Sequence, residues 1–459
     1  MVNRQFFMFG SFTDASAYIV SLDQLDTPKH SYAYAAEHGI ARAKHLLARL
    51  GDAPHVINHC ILVAGSKGKG STVAMLSAVL SAAGYTVGAF TGPHLHTPLE
   101  RFAIYPAQGD GAVEMPEIEF IALAEQVRQI VELWDAPEVG EPTRFESYAA
   151  MAYRWFEQRH VDIAIMEMGI GGRLDAVNLA EPLVSIITNI SLEHTQMLGN
   201  TLAQIAREKA GILRQHGTGV IAHQSAEAAQ AIRDMGMPLR FADEAVTLTS
   251  VSANIDVENS GQWFKWFNAT GFEGNLFLPL LGAHQLQNAA AVLTAVQVLR
   301  ERGWTIAPEA VRSGLARVRW PGRFEILWRR PYIVVDGAHT PYSMEWLCQA
   351  LTRYFPGRPI HFILSMLRDK DARSMLATAG AIAATLTLTQ THVARSLQTD
   401  QLLQLAGQLD LSVPLHPTLD LPAALAHVVS LVQMDDVICV TGSLHLVAEA
   451  RQALDAAEA

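Results

Sequence analysis

Short apolar runs alternate along the chain with longer segments in which apolar residues recur at helical spacing. Residues 61–64 and 87–90 are apolar runs of strand length, and residues 72–83 between them carry a helical pattern that ends at Gly84. Short runs bounded by glycine-rich turns are typical of buried strands in a parallel sheet. The alternation of strand and helix therefore predicts an α/β fold with a largely parallel sheet.

The same pattern continues through the first part of the chain. Further strands are predicted at residues 161–166 and 183–188, and further helices at residues 143–158, 202–213 and 282–300. Thr143 and Glu146 form a capping-box pattern at the start of the first of these helices. Residues 245–280 are predicted to form strands and turns.

Residues 320–323, Trp-Pro-Gly-Arg, interrupt the alternation. Proline and glycine together are strong breakers of regular structure, so we place the main domain boundary at this point. Beyond it, strands are predicted at residues 332–335, 360–364 and 437–440, and helices at residues 343–354 and 373–384. We predict a P-loop NTPase-like parallel-sheet domain over residues 1–318 and a smaller Rossmann-like α/β domain over residues 319–459.

Composition narrows the class of protein. Half of the 459 residues are hydrophobic and 17% are charged, with a formal net charge of −11. These values are typical of a globular enzyme, and the acidic balance gives no support for a nucleic-acid partner. No apolar stretch approaches the roughly 18 residues that a membrane-spanning helix needs, so we expect no membrane association and a cytoplasmic location.

The cysteines fit neither a disulfide framework nor a zinc site. Cys60, Cys348 and Cys439 are far apart, and each lies in or beside an apolar run. Sparse cysteines with this spacing are more often buried small hydrophobic residues, which agrees with a reducing compartment.

A glycine-rich turn between a strand and a helix is the first candidate site. Its candidate phosphate-binding residues are Gly65, Ser66, Lys67, Gly68, Lys69, Gly70 and Ser71. Backbone N–H groups at a helix start, which we place at Ser71, bind anions, and Lys69 would contact the outer phosphates of a nucleotide. Ser71 or Thr72 could contact phosphate or metal.

The turn departs from the strict Walker pattern in two places. Val63 stands where the first glycine is expected, and Gly70 separates Lys69 from Ser71. A tight turn without a ligand is therefore the alternative. The flanking strand and helix favour the phosphate site.

Two polar residues follow predicted strands in the same sheet. Glu167 comes directly after the strand at residues 161–166, and His194 follows the strand at residues 183–188. Ligands bind at the carboxyl ends of strands in open α/β sheets, so both are candidate ligands of Mg²⁺. The alternatives are a solvated loop carboxylate and a structural histidine.

Several of these runs resemble one family. Residues 64–72 resemble the phosphate loop of folylpolyglutamate synthases and dihydrofolate synthases, members of the Mur ligase superfamily. Residues 167–178, 320–323 and 336–339 (Asp-Gly-Ala-His) are also similar to motifs of that family. The motifs occur in the family's order across nearly the whole chain, which is far more specific than any single motif.

The resemblance implies a metal site. His194 matches a magnesium ligand, and Lys209 matches a lysine that is carbamylated in many Mur-type ligases, which implies a carbamate here. A further family ligand is a serine, and Gly92 stands in its place. Thr91 could compensate for the missing hydroxyl, or a water molecule could.

The resemblance also assigns residues of the second half of the chain. Asn288, which from sequence alone is an ordinary polar residue of a helix surface, would contact nucleotide. Arg323 would reach the ATP phosphates from the interdomain hinge, and Asp336 and His339 would meet nucleotide across the cleft. The pair Asp369 and Lys370 would bear on glutamate or on domain closure.

The resemblance implies an ATP-dependent ligase that adds L-glutamate to a folate through an acyl phosphate, with dihydropteroate as a further candidate substrate. The catalytic candidates are Lys69, Lys209, Arg323 and His339. ATP and Mg²⁺ are the implied cofactors, K⁺ is a further candidate cation, and a monomer is expected. The alternatives are a Mur-type ligase with a non-folate substrate, a P-loop ATPase or GTPase that drives conformational change, and a non-catalytic binding relative.

Overall fold

Strands and helices alternate from Cys60 onwards in the computed structural model, which describes residues 9–23, 32–257, 259–268 and 271–458. The helices are α1 (Phe12–Ser21), α2 (Tyr32–Arg49), α3 (Pro54–Asn58), α4 (Lys69–Ala82), α5 (Glu117–Glu132), α6 (Arg144–Gln158), α7 (Thr195–Leu198), α8 (Leu202–Lys209), α9 (Ala226–Arg233), α10 (Ala242–Ala245), α11 (Ala283–Glu301), α12 (Pro308–Ala316), α13 (Pro341–Tyr354), α14 (Ala372–Gly380), α15 (Thr399–Gly407), α16 (Leu421–Leu431) and α17 (Leu444–Glu458).

The strands belong to three sheets. They are β1 (Cys60–Ala64), β2 (Val87–Phe90), β3 (Phe102–Tyr105), β4 (Val113–Glu114), β5 (Ile163–Glu167), β6 (Val184–Ile187), β7 (Thr218–Ile221), β8 (Leu239–Phe241), β9 (Val246–Asn254), β10 (Gly261–Asn268), β11 (Gly271–Leu278), β12 (Glu325–Arg329), β13 (Tyr332–Val335), β14 (Ile360–Leu364), β15 (Thr385–Leu388), β16 (Leu415–Pro417) and β17 (Val437–Thr441).

The first sheet has the order β4-β3-β2-β5-β1-β6-β7-β8. The six neighbouring strands β2, β5, β1, β6, β7 and β8 run parallel to one another. Only β3 and β4, at one edge of the sheet, pair in the antiparallel direction. All residues of β1, β2, β5 and β6 are buried, as expected for central strands covered on both faces. The carboxyl ends of these four strands therefore lie side by side.

The second sheet has the order β12-β13-β17-β14-β15-β16, and β9, β10 and β11 form a separate three-stranded sheet. Only β12 runs antiparallel to its neighbour in the second sheet. The predicted α/β class, with a large parallel sheet followed by a smaller α/β domain, is confirmed. All three cysteines are free and buried, as predicted.

The chain divides into two compact units. The first comprises residues 1–248, 266–273 and 287–317, and the second comprises residues 249–265, 274–286 and 318–459. The boundary predicted between residues 318 and 319 stays a prediction. Among the described residues, no helix has both the length and the apolar character that crossing a membrane would require.

The helix after the glycine-rich turn begins earlier than predicted. It starts at Lys69 rather than at Ser71, because Gly68 takes a left-handed conformation with φ +92° and closes the turn one residue before Lys69. Glycine adopts this conformation without a steric penalty. The capping box of Thr143 and Glu146 is present at the start of α6, as predicted.

A buried ion pair joins α2 to α6. The guanidinium of Arg42, which is fully buried, donates from Nε and Nη2 to the two carboxylate oxygens of Glu146 at 2.8 and 2.7 Å. It also donates from Nη1 to the carbonyl oxygen of Val139 at 2.9 Å. Glu146 in addition accepts from the backbone N–H of Thr143. The pair therefore fixes the start of α6, which carries the side chains that face the site described below.

Removing Arg42 tests the importance of this pair for stability. We expect Arg42→Met to lower the free energy of unfolding by about 3–5 kcal/mol, because it leaves the Glu146 carboxylate buried without its partner. Urea unfolding followed by circular dichroism measures the change. The control is Arg240→Met, which breaks the exposed Arg240–Glu301 pair and should cost less than about 1 kcal/mol. Equal losses for the two variants would contradict this interpretation.

Candidate active site

The loop between β1 and α4 is shaped by two glycines with positive φ. A Cβ on Gly65 (φ +147°) would lie 1.8 Å from Thr188 Oγ1, and a Cβ on Gly68 (φ +92°) would lie 2.2 Å from Asn288 Oδ1. Both contacts are far below van der Waals distance, so only glycine fits at either position. The close approach also places Asn288, on α11, beside the loop, and its contact with nucleotide stays a prediction.

The end of β6 holds the other side of the loop. The carbonyl oxygen of Asn189 accepts from the backbone N–H groups of Ser66 at 2.8 Å and Lys67 at 3.3 Å. The hydroxyl of Ser66 donates to the carbonyl oxygen of Ser191 at 3.1 Å. These contacts keep the loop open in front of the N-terminus of α4, where backbone N–H groups can receive an anion.

Three buried polar atoms around the loop have no hydrogen-bond partner within the described chain. They are Thr72 Oγ1, Asn189 Oδ1 and Ser191 Oγ. Buried polar groups are nearly always paired, and an unpaired group costs about 1–3 kcal/mol. Three such atoms, one in the first turn of α4 and two after β6, indicate a site built for a polar ligand. Sequence reasoning named Thr72 but missed Asn189 and Ser191, although their run after a strand was visible.

Three lysines and two carboxylates surround the loop. Lys69 Nζ lies 3.1 Å from the carbonyl oxygen of Gly65 and 3.9 Å from Glu167 Oε1. Lys209 Nζ lies 2.9 Å from both Gly65 O and Glu193 Oε1, and Lys67 Nζ lies 3.5 Å from Glu193 Oε2. Burial opposes the ionisation of Glu193, but the charges of the three lysines outweigh it and lower its pKa to about 2. Burial lowers the pKa of Lys209, and the charge of Glu193 partly opposes this. Lys67 and Lys69 bring two further cationic side chains to the loop.

Glu167 lies where a cation ligand is expected. It ends β5, beside β1 and β2, and its Oε2 accepts from the backbone N–H of Gly92 at 3.2 Å. Thr91 directly follows β2 and is buried next to it. His194 lies in the loop after β6, exposed, with φ 47°. The oxygen donors at this edge suit Mg²⁺, a hard cation.

No group of three or more His, Cys, Asp or Glu side chains among the described residues is arranged to hold a metal. A magnesium ion here would therefore take few side chains of the protein and complete its shell with phosphate oxygens and water, as is common for Mg²⁺. The residues present fit such a shared site.

A side chain at residue 92 would meet the guanidinium of Arg101. A Cβ at this position would lie 2.6 Å from Arg101 Nη1. Arg101 donates from Nε to His94 Nδ1 at 2.9 Å, and its guanidinium lies over the ring of Tyr148. Burial lowers the pKa of Arg101, although Glu167 nearby partly offsets this. The absent side chain at residue 92 thus makes room for a partly buried arginine guanidinium, a contact that no local pattern in the sequence indicates.

A cavity of about 510 Å³ opens next to Glu167. Its walls include apolar side chains of β2, α6, the loop after β5 and α7, namely Phe90, Phe145, Ile170 and Met197. Arg101, Glu146, Glu167 and Asp175 supply charged groups. A mainly apolar wall with a few polar groups is typical of a small-molecule site of this size.

Asp175 is a buried carboxyl group in the wall of this cavity. Its oxygens accept from the backbone N–H groups of Ile170 and Val177, each at 2.9 Å. Burial nevertheless raises its pKa to about 6. In the sequence, Asp175 is only one residue of the motif at residues 167–178, because no local pattern marks a carboxyl group as buried.

A second cluster lies in the second unit. Asp336 follows β13 and accepts from the backbone N–H groups of Phe324 and Ala338, each at 2.8 Å. Burial raises its pKa, while Arg323 and these N–H groups partly oppose the rise. The ring of His339 lies 2.7 Å (Nδ1) from the carbonyl oxygen of Gly337. The structure thus brings Arg323, Asp336 and His339 together around one turn.

Asp369 and Lys370, the candidates for binding glutamate, pair with each other. Lys370 Nζ lies 2.8 Å from Asp369 Oδ2. Burial opposes the ionisation of Asp369, but Lys370 outweighs it and lowers the pKa of this carboxyl group. The role of this pair in substrate binding stays a prediction.

The close contact between Gly68 and Asn288 can be tested separately from backbone strain. We expect Gly68→Ala to weaken ATP binding about ten-fold or more, because the new methyl group must displace Asn288 and the loop. The control is Gly303→Ala, at nearly the same φ of +91° but with no heavy atom within 4 Å of the new Cβ. Calorimetric titration with ATP should show unchanged affinity for the control, and parallel losses in both variants would refute the role of the contact.

The raised pKa of Asp175 predicts a pH-dependent stability. Burial raises the pKa of Asp175 from 3.8 to about 6. At pH values between these two, the Asp175 carboxyl group is ionised in the unfolded chain but protonated in the folded protein. The wild type should therefore lose stability relative to Asp175→Asn as pH rises through this range, with no further change above it. Thermal unfolding of both proteins from pH 4 to 8 measures this difference in stability. A difference that stays constant over that range would contradict the raised pKa of Asp175.

Comparison with known proteins agrees with this geometry. Residues 145–296 match the Mur ligase middle domain, and residues 322–444 match the Mur ligase glutamate ligase domain. The chain is 36% identical over 352 residues to the dihydrofolate synthase/folylpolyglutamate synthase of Bacillus subtilis, covering 76% of this chain and 80% of that protein.

Two solved structures are similar over nearly their whole length. Mycobacterium tuberculosis folylpolyglutamate synthase complexed with ADP superposes with a TM-score of 0.83 at 28% identity, covering 96% of this chain and 99% of that one. E. coli FolC in complex with DHPP and ADP gives a TM-score of 0.81 at 27% identity, covering 97% and 98%. The chain therefore belongs to the dihydrofolate synthase/folylpolyglutamate synthase family and is an ATP-dependent ligase that forms carbon–nitrogen bonds.

Proposed function

We propose that this chain adds L-glutamate to a folate, with tetrahydrofolate as acceptor and dihydropteroate as a second candidate acceptor. The observation that carries the proposal is the cavity of about 510 Å³ lined by Glu167, whose carboxylate lies 3.9 Å from Lys69 of the phosphate loop. Its size and its aromatic and aliphatic walls suit a flat pteridine ring, and its charged groups suit polar edges and a carboxylate. Two similarities support this choice. One is to the dihydrofolate synthase/folylpolyglutamate synthase of Bacillus subtilis, and the other is to the structure of E. coli FolC in complex with DHPP and ADP.

The phosphate loop would hold ATP. Backbone N–H groups at the start of α4 would bind the phosphates, with Gly65 to Ser71 forming the cradle and Lys69 reaching the transferred phosphoryl group. Lys69 now contacts Gly65 O and Glu167, so it would exchange these partners for phosphate oxygens. Asn288, against Gly68, would contact the nucleotide.

Glu167 and His194 would hold Mg²⁺, with the hydroxyls of Thr91 and Ser71 as further ligands. When bound, the ion supplies positive charge that offsets the charge of the phosphoryl group in transfer. Glu167 is suited to this task because it is buried at the end of β5, with one oxygen fixed by Gly92.

The acceptor carboxylate would attack the γ-phosphate of ATP, which releases ADP and forms an acyl phosphate. Arg101 is placed to orient that carboxylate, since its partly buried guanidinium lines the cavity together with Glu167. The amine of L-glutamate would then attack the acyl phosphate, forming the amide and releasing phosphate. Exclusion of water by the buried walls would protect the intermediate.

The residues of the second unit would complete the machinery. We assign residues 1–318 to ATP binding and residues 319–459 to the glutamate ligase domain. Arg323 would stabilise charge on the phosphates, Asp336 would bind nucleotide, and His339 would act in catalysis. Asp369 and Lys370 would bind L-glutamate. We propose that the monomer is active.

The experiment is an assay of ADP release with Mg²⁺, tetrahydrofolate or dihydropteroate, and L-glutamate, each omitted in turn. We expect full turnover only when an acceptor and L-glutamate are both present. Lys69→Met should lower kcat about 100-fold or more, because it removes a cation from the transition state. The exposed Lys44→Met is the control and should keep wild-type turnover.

Each outcome of the assay has a defined meaning. ADP release without either acceptor would favour a simple ATPase over a ligase. Turnover with a different carboxylate, but with neither tetrahydrofolate nor dihydropteroate, would assign the chain to another substrate class of Mur-type ligases.

A further inference from the structure

An ion pair between Asp23 and Arg144 lies at the mouth of the cavity described above. Asp23 is one of the residues that line the cavity, and so are Thr143 and Phe145, the chain neighbours of Arg144. The side chain of Asp23 is 37% exposed and that of Arg144 is 44% exposed. Charged side chains that border a cavity and are exposed to this degree lie where the cavity meets solvent.

The carboxylate of Asp23 contacts two groups of Arg144. Its Oδ1 accepts from the backbone N–H of Arg144 at 3.0 Å, and its Oδ2 lies 2.9 Å from Nη2 of the guanidinium. A solvent-exposed ion pair contributes little to stability, so Arg144 can exchange this partner for another carboxylate at small cost. A ligand carboxylate has the same charge and the same two oxygens as the side chain of Asp23.

A second guanidinium lies close to the first. That of Arg101 lines the cavity and lies 5.3 Å from the centre of the Tyr148 ring. Burial raises the pKa of Tyr148, whereas the charges of Arg101 and Arg144 act to lower it and the charge of Asp23 acts to raise it. Arg101 and Arg144 therefore both act on Tyr148, and two cations in this position suit a ligand with two carboxylates.

The candidate acceptors differ in their number of carboxylates. Dihydropteroate carries one, and that carboxylate is the group that reacts. A folate carries a glutamyl residue with two carboxylates, of which one reacts and the other keeps its charge. Because Arg101 is assigned to the reacting carboxylate, a folate brings an additional anion to which Arg144 can offer its guanidinium.

We propose that Arg144 determines acceptor specificity by binding the additional carboxylate of a folate, which displaces Asp23 from the guanidinium. This inference deepens the proposed function and rests on it, because it takes the cavity to be the acceptor site. Dihydropteroate, without a second carboxylate, would leave the ion pair closed. Only a folate would gain the contact with Arg144, and only a folate would have to compete with Asp23 for it.

The test compares dihydropteroate with dihydrofolate, which differs from it only by one glutamyl residue. Calorimetric titration with ADP and Mg²⁺ but without L-glutamate measures both affinities in the absence of turnover. We expect Arg144→Met to bind dihydrofolate about five-fold or more weakly than the wild type, and dihydropteroate within about two-fold of it. The matched control is Arg240→Met, which breaks an exposed pair with the same 2.9 Å separation and should bind both ligands normally.

The variant Asp23→Asn tests the competition directly. It removes the negative charge but keeps an oxygen that can accept from the backbone N–H of Arg144. We expect it to bind dihydrofolate about two-fold or more tightly than the wild type, with unchanged affinity for dihydropteroate. In the Arg144→Met protein the same substitution should change neither affinity, because Asp23 acts through Arg144. Tighter binding of dihydrofolate without Arg144 would contradict the exchange.

The outcomes separate this inference from the proposed function. A wild-type protein that binds neither ligand would refute the proposed function, and the role of Arg144 would fall with it. If the wild type binds dihydropteroate, three results would overturn the role of Arg144 while leaving the ligase function intact. These are wild-type binding of dihydropteroate alone, equal losses for both ligands in Arg144→Met, and unchanged dihydrofolate affinity in that variant.

Discussion

The conformation of one glycine-rich loop sets the geometry of the site in the first unit. Gly65 and Gly68 let the backbone pass within contact distance of Thr188 and Asn288, which no side chain would permit. The backbone N–H groups of Ser66 and Lys67 in the loop then donate to the carbonyl oxygen of Asn189, and the loop leads into the N-terminus of α4. Because the ends of β1 and β6 are adjacent in the sheet, this packing also brings the segment after β6, which contains the candidate ligand His194, to the side of the phosphate loop.

An acidic protein that binds an anion must concentrate positive charge locally. The chain carries a net charge of −11, yet three lysines meet around the loop against two carboxylates. Glu193 is held in its ionised form by those lysines, whereas Asp175, in the same unit, has a raised pKa because burial outweighs the N–H groups it accepts from. Two carboxyl groups therefore differ in charge at mildly acidic pH for reasons of environment alone.

Much of the fold could be predicted from local patterns. Apolar runs such as residues 87–90 and 332–335 match β2 and β13, and the Thr143 capping box is where the sequence indicated. The start of α4 was misplaced because the left-handed turn at Gly68 depends on its close packing against Asn288, far along the chain. The Glu193–Lys209 pair and the cavity around Asp175 arise from tertiary contacts between loops and helices, which no local pattern encodes.

The departure at residue 92 now has a physical explanation within this chain. Sequence comparison alone presents Gly92 as a missing hydroxyl at a metal site. In the structure, its backbone N–H still serves that site by donating to Glu167, and the space above it is filled by the guanidinium of Arg101. Any side chain at residue 92 would have to move Arg101 away from the cavity wall and from His94. The glycine therefore links two requirements, because its backbone N–H fixes the candidate metal ligand Glu167 and its lack of a side chain admits the partly buried guanidinium of Arg101.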